Sequence, residues 1–297
     1  MTQTLPTLRD DVQISVHNEN GEPYLVLHDP FGIAEGPIMV HADMVDVLQS
    51  CDGSTTYEDL ATAAGVPVDG PEIMRLRVFL GQLDQMGYFI GEGYEMRAAQ
   101  AIPEWDELAE RPPVCAGSVY PSDPAELATF LDALTGATAM GQGAGTSHNA
   151  DIAGVLMPHI DFRVAPDVYA PGFAALRDHN ADLVVLIGTS HYWGNDAFIL
   201  TEKDFATPIG TVRTDRALVR ALAAALPGVA QTDLAHRPEH SLELHLVGLR
   251  HCWADRPFTI VPILVTMEAL ATGVLEQSVD VLRRTVAESG RKAVWLV

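Results

Sequence analysis

The feature that most constrains the fold is an alternation of short apolar runs with amphipathic segments through the last two thirds of the chain. The apolar runs predict buried strands and the amphipathic segments predict helices. The runs occupy residues 152–157, 183–187, 258–264 and 293–297, and the segments lie near 169–179, 215–226, 240–253 and 275–288. Strands separated by helices favour an α/β fold, with a mostly parallel sheet covered by helices on both faces.

The N-terminal third has a different pattern. Two alternating segments, Val12–Val16 and Tyr24–Leu27, flank the turn-forming pair Asn20-Gly21 and predict a β-hairpin. Helical signals follow near residues 44–48, 56–61 and 71–83, and residues 87–90 read as a closing strand. This order predicts a small α+β, winged-helix-like domain over residues 1–103. An acidic and then proline-rich linker is expected at 104–113, followed by the α/β domain at 114–297.

Composition narrows the classes of partner. The chain has 18 Lys and Arg against 40 Asp and Glu, a formal net charge of −22. Such a field repels phosphate backbones and anionic lipids, so we expect no nucleic-acid and no membrane partner. The start of the chain lacks a basic region followed by an apolar one, which favours a cytoplasmic location. The three cysteines form no C-x-x-C pair and are expected to be buried rather than metal ligands. The glycine-rich segment 136–149 predicts a surface loop in which His148 is solvated.

Histidines directly follow two of the predicted strands. His159 lies in Pro158-His159-Ile160-Asp161, and His191 lies in Gly188-Thr189-Ser190-His191-Tyr192. A right-handed crossover would make these strands parallel, so both imidazoles would emerge at the same edge of the sheet and could share a metal. A lone histidine is more often structural. Ser190 reads as a turn residue because no G-x-S-x-G elbow surrounds it. Tyr192 and Trp193 either wall the pocket or pack under a loop.

A third polar group stands at the predicted start of a helix. His240 and Glu243 are three residues apart and therefore share a helix face, whereas His245 is rotated from His240 by about 140° at 100° per residue. We therefore predict that His240 and Glu243 point together into a cleft. The alternative is a solvated helix end that is merely rich in histidine and glutamate.

Four ordered motifs carry a family resemblance. Residues 116–124, 158–161, 188–191 and 239–246 together resemble the Memo family, which includes proteins labelled AmmeMemoRadiSam system protein B and is similar to the class III extradiol dioxygenases with nonheme iron. The resemblance extends from about residue 114 to the end of the chain. The N-terminal domain more loosely resembles PqqD-like domains, which hold leader peptides or act as interaction modules. An α+β appendage private to this protein is the alternative there.

The Memo resemblance implies a set of site residues. His159 and His191 would be metal ligands for Fe(II), with Cu or Zn as alternatives, and His240 and Glu243 would be catalytic. His245, Asp161, Ser190 and Tyr192 would lie around the pocket. The family's remaining ligand normally follows one more strand, beyond Val297, so we expect an incomplete and weakened site unless Glu243, His245 or a partner chain completes it. An exposed terminal strand would also favour a homodimer.

Two functions follow from this reading. The first is an iron-dependent oxidoreductase of dioxygenase type that acts on a small phenolic molecule or a peptide, with His240 as acid or base. The second is a noncatalytic adaptor that binds a peptide or a metal and engages a protein partner through residues 1–103. Hydrolysis at a metal centre is a weaker reading because the chain has no H-E-x-x-H helix.

Overall fold

The computed structural model describes residues 3–135, 152–192, 196–254 and 256–297. The chain forms two compact units, Met1–Glu107 and Leu108–Val297. The glycine-rich segment at 136–149, with His148, and the proposed pocket residue Trp193 lie outside the described residues.

The N-terminal unit contains five strands and four helices among its described residues. They are β1 (Thr7–Leu8), β2 (Gln13–Glu19), β3 (Glu22–His28), β4 (Ile38–His41), α1 (Val45–Gln49), α2 (Tyr57–Ala64), α3 (Pro71–Gln85), β5 (Phe89–Ile90) and α4 (Glu92–Glu107). Strands β2, β3 and β4 form an antiparallel sheet in that order, and β1 pairs with β5. The unit is therefore α+β, and its likeness to PqqD-like domains stays a prediction.

Local sequence explains two boundaries in this unit. Asn20 and Gly21 have φ of 53° and 88°, so they form the two-residue turn whose twist matches a β-hairpin, and Glu19 pairs with Glu22 beside it. Helix α2 begins with a capping box, because the Thr56 side chain accepts from the Asp59 N–H and the Asp59 side chain accepts from the Thr56 N–H.

The segment predicted to be a linker is partly regular in the structure. Helix α4 continues to Glu107, and β6 (Glu110–Arg111) pairs in parallel with β10 (Asp204–Phe205). The proline-rich composition led to the linker prediction, but Arg111 is only 1% exposed and forms a buried ion pair with Glu243. This ion pair anchors the segment within the C-terminal unit.

The C-terminal unit alternates strands and helices. Besides β6 and β10 it has α5 (Pro124–Leu134), β7 (Gly154–Val155), α6 (Tyr169–Arg177), β8 (Leu183–Thr189), β9 (Phe198–Leu200), β11 (Arg213–Thr214), α7 (Arg216–Ala225), α8 (Ser241–Cys252), β12 (Thr259–Val265), α9 (Met267–Ala271), α10 (Val274–Glu288) and β13 (Ala293–Leu296). All four predicted strands and all four predicted helices are present, although β7 is shorter than its apolar run.

The main sheet has the order β11-β12-β8-β13-β7, with all of these strands parallel. Strand β9 is the exception, because it pairs antiparallel with the carboxyl-end half of β12. Parallel neighbours need crossover connections, and the chain supplies these through helices. The predicted α/β fold with a mostly parallel sheet is therefore confirmed.

Both faces of the sheet are covered. Along β8, Leu183 and Val185 pack in a core cluster with Leu222 of α7 and Leu282 of α10. Successive strand residues point to opposite faces, and Val184 between them is also fully buried. Helix α8 covers that second face near the carboxyl end of β8, where Gly188 faces α8. In the part of the chain that the structure describes, no helix is both long enough and apolar enough to span a membrane.

Candidate metal centre

Three elements bring histidines to one edge of the main sheet. His159 follows β7, His191 follows β8 after Ser190, and His240 immediately precedes α8. Strands β7 and β8 are both parallel to β13, which lies between them, so their carboxyl ends share an edge. Ligand sites of open α/β sheets lie at this edge. The structure thus brings His159 and His191 together, as the sequence predicted, and adds His240.

The three side chains lie close enough to share one ion. One ring nitrogen from each of His159, His191 and His240 lies within 4.8 Å of the others. The ring centroids are 5.1 Å apart for His159 and His191 and 5.7 Å apart for His159 and His240. The rings of His191 and His240 stack with centroids 4.7 Å apart. The side chains of His191 and His240 are 36% and 34% exposed, so the cluster is open to solvent.

The electrostatic surroundings favour the neutral imidazole at His159 and at His240. Burial, followed by repulsion from His191 and His240, lowers the pKa of His159. Burial also lowers the pKa of His240, against the opposing attraction of Glu239. A neutral imidazole has a free lone pair, which is the form that binds a metal. The three histidines could therefore hold a metal ion.

The carboxylate of Glu239 contacts two of these histidines. Its side chain is 1% exposed and accepts hydrogen bonds from the backbone N–H groups of His191, His240 and Ser241. The His191 Nδ1 lies 2.9 Å from Oε1. Burial opposes ionisation of Glu239, but the hydrogen bonds from Ser241 and His191 outweigh it, and the pKa of Glu239 is lowered. The sequence analysis gave Glu239 no role in the site, although Glu239 directly precedes His240 in the sequence.

Helix α8 is held tightly against the carboxyl end of β8. The Ser241 hydroxyl donates to the Thr189 carbonyl at 3.0 Å. A Cβ atom on Gly188 would lie 2.5 Å from Ser241 Oγ and 2.7 Å from Leu242 Cδ2, so only glycine permits this approach. His240 therefore reaches the sheet edge because the first turn of α8 lies directly on β8.

Glu243 does not share the cleft with His240, which corrects the sequence prediction. Its carboxylate accepts from Tyr120 Oη at 2.6 Å and from the backbone N–H groups of Val114 and Cys115, and it forms an ion pair with Arg111. The rule that i and i+3 share a face applies within a helix, whereas His240 is the N-cap residue and α8 begins at Ser241. Glu243 is thus enclosed in a buried polar network.

The remaining predicted pocket residues have different surroundings. His245 is 1% exposed, with its Nε2 3.1 Å from the Pro158 carbonyl, and it is not a member of the histidine cluster. Asp161 forms an ion pair with Arg163. The Tyr192 ring lies 6.3 Å from the His191 ring, and the Ser190 backbone N–H donates to Val265. Tyr192 therefore lies beside the His191 ring.

A third histidine, to which the sequence analysis gave another role, groups with the two predicted ligands. Sequence reasoning left the third ligand position empty unless Glu243, His245 or a partner chain supplied it. In the described residues the third nitrogen comes from His240. The motif order gave no sign of this, because the distance between the first turn of α8 and the end of β8 depends on tertiary packing.

A large apolar cavity reaches the cluster at His159. Its volume is about 1180 Å³, and it runs between the sheet and helices α9 and α10. The lining includes Leu156, Ile187, Val265, Met267 and Trp295.

The fold and this edge of the sheet define an α/β protein with a cluster of three histidines at the carboxyl ends of parallel strands. The family model described as Memo-like protein matches residues 111–292. The chain belongs to this family, which confirms the resemblance read from the four ordered motifs.

Individual relatives agree with this assignment. A MEMO1 family protein of Aquifex aeolicus is 27% identical over 256 residues, which cover 82% of this chain and 64% of that protein. A MEMO1 family protein of Thermus thermophilus is 31% identical, with 71% of this chain and 69% of that protein covered. One from Methanococcoides burtonii is 30% identical, with 63% and 65% covered. The chain thus spans less than two thirds of the Aquifex and Methanococcoides relatives. The Aquifex match is longer than the C-terminal unit and therefore extends into the N-terminal one.

Proposed function

We propose that this Memo-like protein binds one divalent metal ion, Fe(II) in the first instance, through His159, His191 and His240, and acts as a nonheme-metal oxidoreductase of dioxygenase type. The observation that carries the proposal is the cluster of three imidazole nitrogens within 4.8 Å of one another at the carboxyl edge of the sheet. Three protein ligands leave coordination positions open for water or substrate.

When bound, the metal would supply Lewis-acid and redox chemistry at this edge. The protein's own residues supply the rest. The carboxylate of Glu239 contacts the rings of His191 and His240. The apolar cavity next to His159 gives room for an apolar ring or side chain of a substrate. These surroundings favour a small phenolic or peptide substrate over a highly charged one.

The alternative function is that of a noncatalytic adaptor that binds a metal or a peptide. It is favoured by the exposure of the histidines and by the presence of a second compact unit, through which a protein partner would bind.

The proposal is tested first by metal content after anaerobic loading with Fe(II). We expect about one metal per chain in the wild type and a large loss in each of His159→Ala, His191→Ala and His240→Ala. The matched control is His28→Ala, which removes an exposed histidine of β3 and should leave metal content unchanged. Equal metal content in all five proteins would refute the site.

Oxygen consumption with a panel of phenols and peptides then separates the two functions. Turnover that requires both the loaded metal and His240 supports the oxidoreductase. Stoichiometric metal binding without oxygen-dependent turnover of any compound would favour the adaptor.

A further inference from the structure

One buried carboxylate contacts two of the three histidines in the cluster. Glu239 Oε1 lies 2.9 Å from Nδ1 of His191 and 3.4 Å from Nδ1 of His240. The His191 contact is a hydrogen bond and the longer His240 contact is a charge interaction, while the two rings stack at an interplanar angle of 23°. This arrangement gives Glu239 a role that helix capping alone does not require.

The hydrogen bonds around the carboxylate determine which partner supplies each proton. Backbone N–H groups of His240 and Ser241 donate to Oε1, and that of His191 donates to Oε2. Every oxygen of Glu239 is thus already an acceptor, and a ring nitrogen that approaches it must itself carry the proton. A neutral imidazole protonated at Nδ1 has its lone pair at Nε2.

Arg111 holds the main chain on either side of Glu239. Arg111 donates from Nε to the His236 carbonyl at 2.6 Å and from Nη2 to the Glu239 carbonyl, and its ion pair with Glu243 is buried. The guanidinium therefore joins three points of the segment from His236 to Glu243. Because Glu239 is fixed both by its main chain and by its carboxylate, it can orient the His191 ring, although the His191 side chain is 36% exposed.

We propose that Glu239 is the positioning residue of this centre: it holds His191 as the Nδ1-protonated tautomer, so that His191 directs Nε2 to the ion. The inference rests on the proposed metal-binding function, but its geometric part concerns the metal-free protein. Carboxylates that accept from the second nitrogen of a ligating histidine fix its tautomer and raise its basicity, and their loss weakens metal binding by about 10- to 100-fold.

The test combines three variants with two measurements. Glu239→Gln keeps the shape of the side chain but places an NH₂ group against N–H donors, and Glu239→Ala removes the acceptor. Glu202→Gln is the matched control, because it makes the same change to a glutamate that forms an exposed ion pair with Arg220. The measurements are the tautomer of His191, from long-range ¹H–¹⁵N correlation spectra of the metal-free proteins, and the Kd for Zn(II), from competition with a chromophoric chelator.

In the wild type and in Glu202→Gln we expect an Nδ1–H signal for His191 and equal Kd values. In Glu239→Ala His191 should shift toward the Nε2–H form, and the Kd should rise about 10- to 100-fold. Glu239→Gln is expected to fall in between, and it serves as the folded variant if the alanine variant does not fold.

The outcomes separate the two proposals. A His191 tautomer that is unchanged in both Glu239 variants would overturn the positioning role, even if the affinity for Zn(II) fell, because that loss would then be structural. An Nδ1–H tautomer of His191 that depends on Glu239, in a wild type that binds no Zn(II), would instead uphold the orientation and refute the metal site.

Discussion

Two glutamates of one short motif have opposite surroundings, although both are almost fully buried. Glu239 faces His191 and His240, while Glu243 faces Arg111 and Tyr120. The sequence does not distinguish Glu239 from Glu243, because each lies within three residues of His240 near the start of the same helix. Sequence reasoning selected Glu243 for catalysis, and the structure assigns it to a network that joins α8 to the segment before α5.

The first prediction concerns that network. Glu243→Gln should lower the free energy of unfolding by about 3–5 kcal/mol, because it leaves the Arg111 charge buried without its partner. Tyr120→Phe removes one hydrogen bond to the same carboxylate and should cost about 1.5–3 kcal/mol. Urea denaturation measures both values. A loss below about 1 kcal/mol for Glu243→Gln would mean that the ion pair contributes little.

The second prediction concerns pH. Burial lowers the pKa of both His236 and His245 to about 4, from an ordinary value of 6.5. Between these values the unfolded chain binds protons that the folded chain does not. The free energy of unfolding should therefore fall as the pH drops from 6.5 toward 4, by roughly 3 kcal/mol per histidine at about 1.4 kcal/mol per pKa unit.

Urea midpoints measured across this range provide the check. His245→Gln keeps a donor for the Pro158 carbonyl but cannot titrate, so its stability should depend less steeply on pH than that of the wild type. Equal slopes for the two proteins would contradict the assignment of His245.

At the scale of elements, the position of α8 decides the site. Its first turn lies on the end of β8, and its middle packs on α6, where a Cβ atom on Gly248 would overlap the Phe173 ring and come within 2.7 Å of its two Cε atoms. Phe173 is fully buried and cannot move aside freely. Small residues at these two contacts, Gly188 and Gly248, therefore allow α8 to lie close enough to bring His240 to the sheet edge.

The third prediction follows from this contact. Gly248→Ala should destabilise the protein by about 1–3 kcal/mol through overpacking against Phe173, although alanine favours helices more than glycine does. The matched control is Gly81→Ala in α3, where a Cβ atom would meet nothing within 4 Å. That substitution should stabilise by about 0.5–1 kcal/mol. Thermal or urea unfolding measures the change in the free energy of unfolding for each variant. The two changes should have opposite signs if the packing is as described, and the same sign if it is not.

At the scale of the molecule, each unit has its own hydrophobic core, and all three clustered histidines belong to the C-terminal unit. The ends of β7 and β8 and the start of α8 are far apart in sequence, and they converge only in the folded unit. A metal ion bound there would have lower affinity for the unfolded chain, so metal binding should be linked to stability.

The fourth prediction is that Zn(II) at 100 times its Kd raises the free energy of unfolding by about 2.7 kcal/mol. Amide hydrogen exchange should slow in β8 and α8, and a chelator should reverse the effect. In His159→Ala the gain should disappear. A gain of the same size in that variant would show that the ion stabilises the chain from another site.

Much of the fold could be predicted because it depends on local periodicity. The apolar runs of β8 and β12, the hairpin turn at Asn20-Gly21 and the capping box of α2 are properties of neighbouring residues. Strand-helix alternation then favoured a parallel sheet, and a parallel sheet places His159 and His191 at one edge.

What the sequence by itself determined was therefore the parallel sheet, the shared edge of two histidines and the family. Only the tertiary structure decided that His240 is the third member of the cluster, that Glu239 lies behind it and that Glu243 is enclosed by Arg111. The physical reason is that these contacts join residues about 50 to 130 positions apart, across helix packing distances that periodicity does not encode. Propensity sets which elements form, whereas close packing at Gly188 and Gly248 determines which side chains meet.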